Sequence, residues 1–363
     1  MSVPWQPVPR PAALTCLELC AGAGGQALGL EQAGFSHSAL VELDTDACET
    51  LHANRPQWNV MNADVRMLGA RHSERWRRCS LLAAGVPCPP FSLAGAQLGA
   101  DDERDLFPDV ISLISAIKPR AVLIENVKGL LQKKFSSYRH GILLALSELG
   151  YVAEWRLLYA SEFGVPQLRP RAVLVALEAD RFRHFTWPGA ESGPDSTPLV
   201  GNVLRDSMAS HGWEMADLWA KGAQRIAPTL CGGSKKHGGP DLGPSRARRA
   251  WAELGVDGSG VADRPPAPGT LLPVKLTVAQ MALLQGFPPD WKFEGRKTSA
   301  YRQVGNAFPP PVARAVGSRI AAALTHMDNT DGACDKPQTG LKGARVSGTN
   351  RRPSALTMPG VST

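Results

Sequence analysis

The sequence predicts an α/β fold: a sheet with helices on both faces, joined to a second, small and irregular domain. Three observations carry this reading. Short apolar runs alternate with helical patterns through the first half of the chain. A glycine-rich turn follows the first of those runs. The patterning then stops at about Arg181 and resumes after Pro273. Alternating strands and helices form a parallel sheet covered on both sides. At 363 residues the chain exceeds the ~250–300 at which single cores stop growing, so a second domain is expected.

The elements follow in order. LTCLELC (14–20) reads as a strand, and GGQALGLEQAGF (24–35) opens a helix. SALVEL (38–43) is the next strand, followed by a helix from Asp46 to Asn54. A third strand is expected before NADV (62–65). CSLLAAG (79–85) is a buried strand, then a loop, then the helical DLFPDVISLISAI (105–117). RAVLIEN (120–126) is another strand, and a helix runs through ILLALSELG (142–150). YVAEWRLLYA (151–160) and RAVLVAL (171–177) are two further strands, rich in β-branched and aromatic residues.

Residues 181–275 are rich in Gly, Pro, Arg, Lys and Trp, and GGSKKHGGPDLGPSRARRAW (232–251) has little periodicity. This segment reads as a loop-built domain with a basic surface. Helical patterning returns at LTVAQMALLQGF (276–287), and a last helix runs through VARAVGSRIAAALTHM (312–327). The expected division is 14–180, 181–275 and a return segment 276–326 that completes the first domain. The Gly-, Ser-, Thr- and Pro-rich stretch 327–363 is expected to be a disordered tail.

Bulk properties narrow the function. The net charge of +7 favours an anionic partner such as nucleic acid. No apolar run approaches the ~20 residues that cross a bilayer, and MSVPWQPVPRPAAL has no continuous apolar stretch of a secretory signal. The seven cysteines are scattered without metal-ligand spacing. The expectation is a cytoplasmic protein with reduced thiols, no metal and no membrane partner.

Gly22-Ala23-Gly24-Gly25-Gln26-Ala27 fits G-x-G-x-x-G/A between a strand and a helix, and Glu42 ends the second strand about 20 residues later. The glycines permit a tight turn, and the carboxylate can accept bonds from ribose hydroxyls. Asp64 is placed to accept from an adenine amino group. NAD and S-adenosylmethionine both present adenosine to such a site, and the glycine pattern leaves the two open. GVPCPPFSLAG (85–95) puts Cys88 at the carboxyl edge of the sheet, where open α/β folds bind ligands. Glu125 ends the neighbouring strand on the same edge. In Gln167-Leu168-Arg169-Pro170-Arg171, alternation along an extended segment turns Arg169 and Arg171 to one side.

These motifs together resemble the DNA (cytosine-5)-methyltransferase family from about Leu14 to His326. The resemblance rests on the order of the Gly22–Gly25 loop, Glu42, Asp64, Pro87-Cys88, Glu125-Asn126-Val127, Gln167-x-Arg169-x-Arg171 and Gly305-Asn306-Ala307. It implies an S-adenosylmethionine-dependent methyltransferase (Rossmann-like) mixed sheet with helices on both faces, and a target-recognition domain in the basic segment.

The resemblance also implies residue roles. Cys88 is the nucleophile, Glu125 the acid, and Arg171, with Arg169, holds the base carbonyl. Cys20, Ala21, Gly22, Ala23, Gly24, Gly25, Glu42, Leu43, Asp64, Val65, Pro87, Leu106, Asn306 and Ala307 are expected to line the cofactor pocket. The family usually has aromatic residues at the positions of Cys20 and Leu43, so a looser adenosine pocket is expected here. Double-stranded DNA is the expected partner, with Arg104, Lys235, Lys236, His237, Arg246, Arg248 and Arg249 contacting it and the target base flipped out. A cognate restriction endonuclease and a monomeric state complete the picture. A tRNA cytosine methyltransferase of the same family and a nicotinamide dehydrogenase are the rival readings.

Overall fold

The computed structural model describes residues 13–69, 73–87, 105–191, 193, 196–233 and 239–331. Seven strands form one sheet: β1 Leu14–Leu19, β2 Phe35–Glu42, β3 Val60–Asn62, β4 Leu81–Gly85, β5 Ala121–Val127, β6 Tyr151–Tyr159 and β7 Pro170–Glu178. Their order is β3-β2-β1-β4-β5-β7-β6. Strands β1 to β5 pair in parallel, whereas β7 runs antiparallel to both β5 and β6. The sheet is thus mixed, as the family resemblance implies, where strand–helix alternation alone suggested a parallel one. No long helix separates β6 from β7. A parallel connection needs a crossover of a dozen or more residues, so the chain turns back beside its predecessor.

Among the described residues, helices α1 Gly25–Gln32, α2 Thr45–Asn54, α3 Phe107–Ile117 and α4 Ser136–Glu148 follow β1, β2, β4 and β5. Strand residues alternate between two apolar layers. Leu17, Leu19, Leu82, Ala84, Val122 and Ile124 pack against α3 and α4 through Val110, Ile114, Ile142 and Leu146. Cys16, Leu81, Ala83, Ala121 and Leu123 pack on the opposite side against Val312, Val316 and Ile320. Those last residues belong to α11 Pro310–Asp331, which extends beyond the expected onset of the tail at 327.

The middle of the chain is more regular than expected. After the short α5 Ala179–Phe182 it contains α6 Val200–Ala209, α7 Ala216–Gly222 and α8 Ser245–Ala252. Trp213, Trp219 and Trp251 are buried there. The Trp219 indole donates to the Leu254 carbonyl at 2.9 Å and that of Trp213 to Thr270 at 2.8 Å. Short helices anchored by single large aromatics leave little periodicity in sequence, which is why a loop-built segment was expected. The same apolar cluster continues through Met281, Leu284, Phe287 and Val304, so this region shares its core with α9 Val278–Leu284 and α10 Lys297–Asn306.

Glycine lets α1 and α11 approach closely. A Cβ on Gly25 would lie 2.3 Å from the Phe308 carbonyl oxygen, and one on Gly29 would lie 2.4 Å from that of Pro310 and 2.6 Å from the Ala313 Cβ. Backbone cannot yield as a flexible side chain can, so Gly29→Ala is expected to cost about 1–3 kcal/mol through overpacking. Gly141 lies inside α4 with open space around it. Gly141→Ala is expected to stabilise by roughly 0.4–1 kcal/mol, because alanine restricts the unfolded chain. Urea unfolding of the two variants checks the opposite signs.

Candidate active site

The strand order reverses between β1 and β4, and open sheets bind ligands outside the carboxyl ends of strands at such a switch point. Four strand ends meet there. β1 leads into Cys20 and Gly22, both in left-handed backbone conformations with φ of 55° and 54°. β2 ends on Glu42, whose carboxylate accepts the Gly22 and Asp44 backbone N–H groups, each at 2.8 Å. β4 leads into Val86 and Pro87, and β5 carries Glu125, paired in register with Gly85.

The cofactor side fits an adenosine. Nothing lies within 4 Å of a Cβ placed on Gly22, so its side of the loop is open. Each Glu42 oxygen accepts one backbone bond, leaving lone pairs for ribose hydroxyls. Gly24 and Gly25 act differently: Leu51 and Trp291 crowd Gly24, and Phe308 crowds Gly25. These glycines serve packing rather than ligand approach. Asp64 follows β3 and caps the 3-10 turn Val65–Met67. Val65 is buried, Ala21 and Ala23 are buried in the loop, and Leu43 stands 63% exposed at the rim. Leu106 precedes α3, half-buried.

Burial raises the pKa of Glu42, against the backbone hydrogen bonds from Asp44 and Gly22 that lower it. Cys20 is pushed up by burial and then by Glu42, Asp64 and Glu18, so its thiol stays protonated. Asp64 behaves in the opposite way: hydrogen bonding from the Arg66 side chain holds it below the usual carboxylate range.

On the β5–β7 side, Glu125 and Arg171 form a buried ion pair, Nε to Oε1 2.6 Å. The antiparallel register sets Val127 opposite Arg171 and Glu125 opposite Val173, so the two side chains share one face of the sheet. Burial raises the pKa of Glu125, with Arg171 and then Arg169 pulling it down. Gly85 keeps the edge open: a Cβ there would lie 3.2 Å from the Cys20 carbonyl oxygen and 4.0 Å from Glu125 Oε2. The buried Asn126 amide ties β5 to the exit of β4 by donating to the Val86 carbonyl at 3.4 Å. Pro87 is half-buried. Cys88 and Arg104 lie outside the described residues, as do Lys235, Lys236 and His237.

Arg169 does something else. It is fully buried and donates to the carbonyls of Leu230, Gly305 and Ala307, each at 2.8 Å. Gln167, also fully buried, donates to Leu284 at 3.1 Å and to the Gln285 side chain at 2.6 Å, and accepts the Leu230 N–H at 2.9 Å. Gln285 donates onward to Ala307 at 2.7 Å. Its importance was invisible in the sequence, where LLQGF looks like an ordinary helix end. Ala307 is buried, and Asn306 is exposed with its amide 3.4 Å from the Gly233 carbonyl. A Cβ on Gly305 would lie 2.4 Å from the Gly232 Cα, so two backbones touch at this glycine. Arg246, Arg248 and Arg249 lie exposed along α8, distinct from this network.

Residues 14–322 match the C-5 cytosine-specific DNA methylase family. The chain belongs to that family. It is a DNA (cytosine-5)-methyltransferase with S-adenosylmethionine as methyl donor, and the dehydrogenase and tRNA readings give way to this one. It is 58% identical over 314 residues to the Type II methyltransferase M.NaeI of Lentzea aerocolonigenes, covering 86% of this chain and 75% of that protein. It is 50% identical over 313 residues to the Type II methyltransferase M.NgoMIV of Neisseria gonorrhoeae, covering 85% and 98%. The fold is shared with a prophage-encoded putative DNA modification methyltransferase from E. coli, with a TM-score of 0.62 and 23% identity over 86% of this chain and 99% of that one. It is also shared with the S. pombe Dnmt2 methyltransferase, with a TM-score of 0.57 and 19% identity over 87% and 99%.

The two arginines of this methyltransferase should separate in stability measurements. Arg169→Met removes the donor to three buried carbonyls; Ala307 keeps its bond from Gln285, so Leu230 and Gly305 are orphaned, at about 1–3 kcal/mol per group. A loss of about 3 kcal/mol or more in denaturant unfolding is expected. Arg171→Met breaks one pair at the edge of the open site and is expected to cost distinctly less.

Proposed function

We propose that Cys88, Glu125 and Arg171 carry the chemistry of this DNA (cytosine-5)-methyltransferase, and that Arg169 positions them. The buried Glu125–Arg171 pair at the carboxyl edge, one strand from Pro87, is the observation that carries this reading. Cytosine C5 is too weak a nucleophile to accept a methyl group directly. The Cys88 thiolate adds to C6, and Glu125 delivers a proton to N3, so that electron density builds on C5. Arg171 donates to the base carbonyl, where negative charge develops. Bound S-adenosylmethionine supplies an electrophilic methyl group to C5. Loss of the C5 proton to solvent then breaks the C6–S bond, expels Cys88 as thiolate and restores the ring, and N3 returns its proton to Glu125.

The environment of Glu125 suits an acid. Burial holds its proton to a higher pH than an ordinary carboxyl would, and base binding that draws Arg171 to the carbonyl weakens the opposing pull. Glu42 would hold the ribose and Asp64 the adenine amino group, with Asn306 and Pro87 near the methionine end. Leu43 and Cys20 would supply apolar contact without an aromatic stack. Two carboxylates and an open glycine loop support this arrangement.

The region from 181 to 275 would recognise the target sequence in double-stranded DNA. Its support is the exposed arginine row of α8, Arg246, Arg248 and Arg249, set on a helix anchored by the buried Trp251. Cationic side chains on one helix suit phosphate contacts, which make up half to two-thirds of protein–DNA hydrogen bonds. Lys235, Lys236, His237 and Arg104 are assigned to the same interface from sequence. Among the described residues no helix is long and apolar enough to cross a membrane. The enzyme would act as a monomer on cytoplasmic DNA, one flipped base at a time, and protect it from a cognate restriction endonuclease.

Base-resolution sequencing of DNA from cells that otherwise lack 5-methylcytosine tests the assignment. Methylation at one short motif is expected with the native protein and none with Cys88→Ala; methylation by that variant would remove Cys88 from the mechanism. Glu125→Gln is expected to lower kcat by about 10²–10⁴-fold. In the native enzyme, kcat should fall as pH rises through the raised pKa of Glu125, because the acid is lost. That alkaline fall should vanish in Glu125→Gln.

A further inference from the structure

The carboxylate assigned to adenine is already full. Asp64 Oδ1 accepts the Arg66 backbone N–H at 2.9 Å and Arg66 Nε at 3.0 Å. Oδ2 accepts Arg66 Nη2 at 2.5 Å and shares Nε at 3.1 Å. An ionised carboxylate offers about four acceptor positions, and these contacts use them. An adenine amine can take its place only if a donor leaves. The backbone bond belongs to the Val65–Met67 turn and stays. The guanidinium is the donor free to move: the Arg66 side chain is 54% exposed against 23% for Asp64.

Arg66 has somewhere to go. Asp109 lies in the first turn of α3, which packs against the Val65–Met67 turn carrying Arg66, and its charge adds a small attraction. That turn begins beside Leu106, on the side of the site assigned to the adenosine. Two carboxylates thus lie within reach of one exposed cation.

We propose that Arg66 is a two-position latch on the cofactor site, seated on Asp64 in the free protein and moved towards Asp109 when the adenine amine takes its place. The inference rests on the reading that Asp64 binds adenine. It adds a competitor for the cofactor that the shared chemistry of the family does not require. An exposed ion pair is worth little, so the latch weakens cofactor binding only modestly, by about two- to fivefold. Its effect is also sensitive to salt, because exposed charges are screened.

Titration calorimetry with S-adenosylhomocysteine tests this without turnover. Arg66→Met should bind about two- to fivefold more tightly than the native protein. Asp109→Asn should bind more weakly, because the displaced cation loses its second anion. The Asp109→Asn effect should disappear in the Arg66→Met background. Raising the salt concentration should narrow the gap between Arg66→Met and the native protein. Asp64→Ala separates the two layers of the argument. If it leaves affinity unchanged, the adenine assignment falls and the latch with it. If it weakens binding while Arg66→Met is neutral or weaker, the assignment stands and the latch is wrong.

Discussion

One buried guanidinium constrains the molecule more than any other group. Arg169 sits with no exposure and satisfies carbonyls from Leu230, Gly305 and Ala307. Those carbonyls belong to the basic middle region, to the last turn of α10 and to the link from α10 to α11. A buried cation is tolerable only when its hydrogen bonds are met, so the three segments must come together for any of them to be stable there. Gln167 and Gln285 extend the same bargain to the end of α9. Because Arg169 adjoins β7, the strand bearing Arg171 is set by the same bonds.

The catalytic edge follows from that frame. β7 can bring Arg171 to Glu125 only by running antiparallel to β5, and the polar network anchors the chain where β7 begins. On the cofactor side, the carboxylates of Glu42 and Asp64 are tuned in opposite directions. Burial raises Glu42, whereas an exposed arginine lowers Asp64. One is a fixed part of the loop, bonded to backbone; the other is held by a side chain that can move. The proposed adenosine pocket, with Cys20 and Leu43 in place of an aromatic stack, would depend more heavily on such polar contacts.

The middle region is integrated rather than appended. Its tryptophans belong to an apolar cluster that continues into α9 and α10, and Gly232 touches Gly305 backbone to backbone. A shift of this region would therefore be felt at Asn306, at the end of α10. If the middle region reads the target as proposed, its contacts with the end of α10 offer a physical route for coupling to the proposed cofactor site.

The sequence by itself determined the strands, the order of the helices around them and the placing of Glu42 and Glu125 at strand ends. Those signals are local: apolar runs, glycine turns and short motifs whose spacing reflects the length of each element. It could not show the direction of β7, because two adjacent strand patterns read alike whichever way the second one pairs. Nor could it distinguish Arg169 from Arg171. Both belong to one alternating motif, yet one is sealed among backbone carbonyls while the other faces a carboxylate. It also gave no sign that α6, α7 and α8 organise the middle region, since their stability comes from tryptophans meeting distant residues. The same limit hid Gln285 and Arg66. Their roles depend on what lies opposite them in space, and only the tertiary structure supplies that partner.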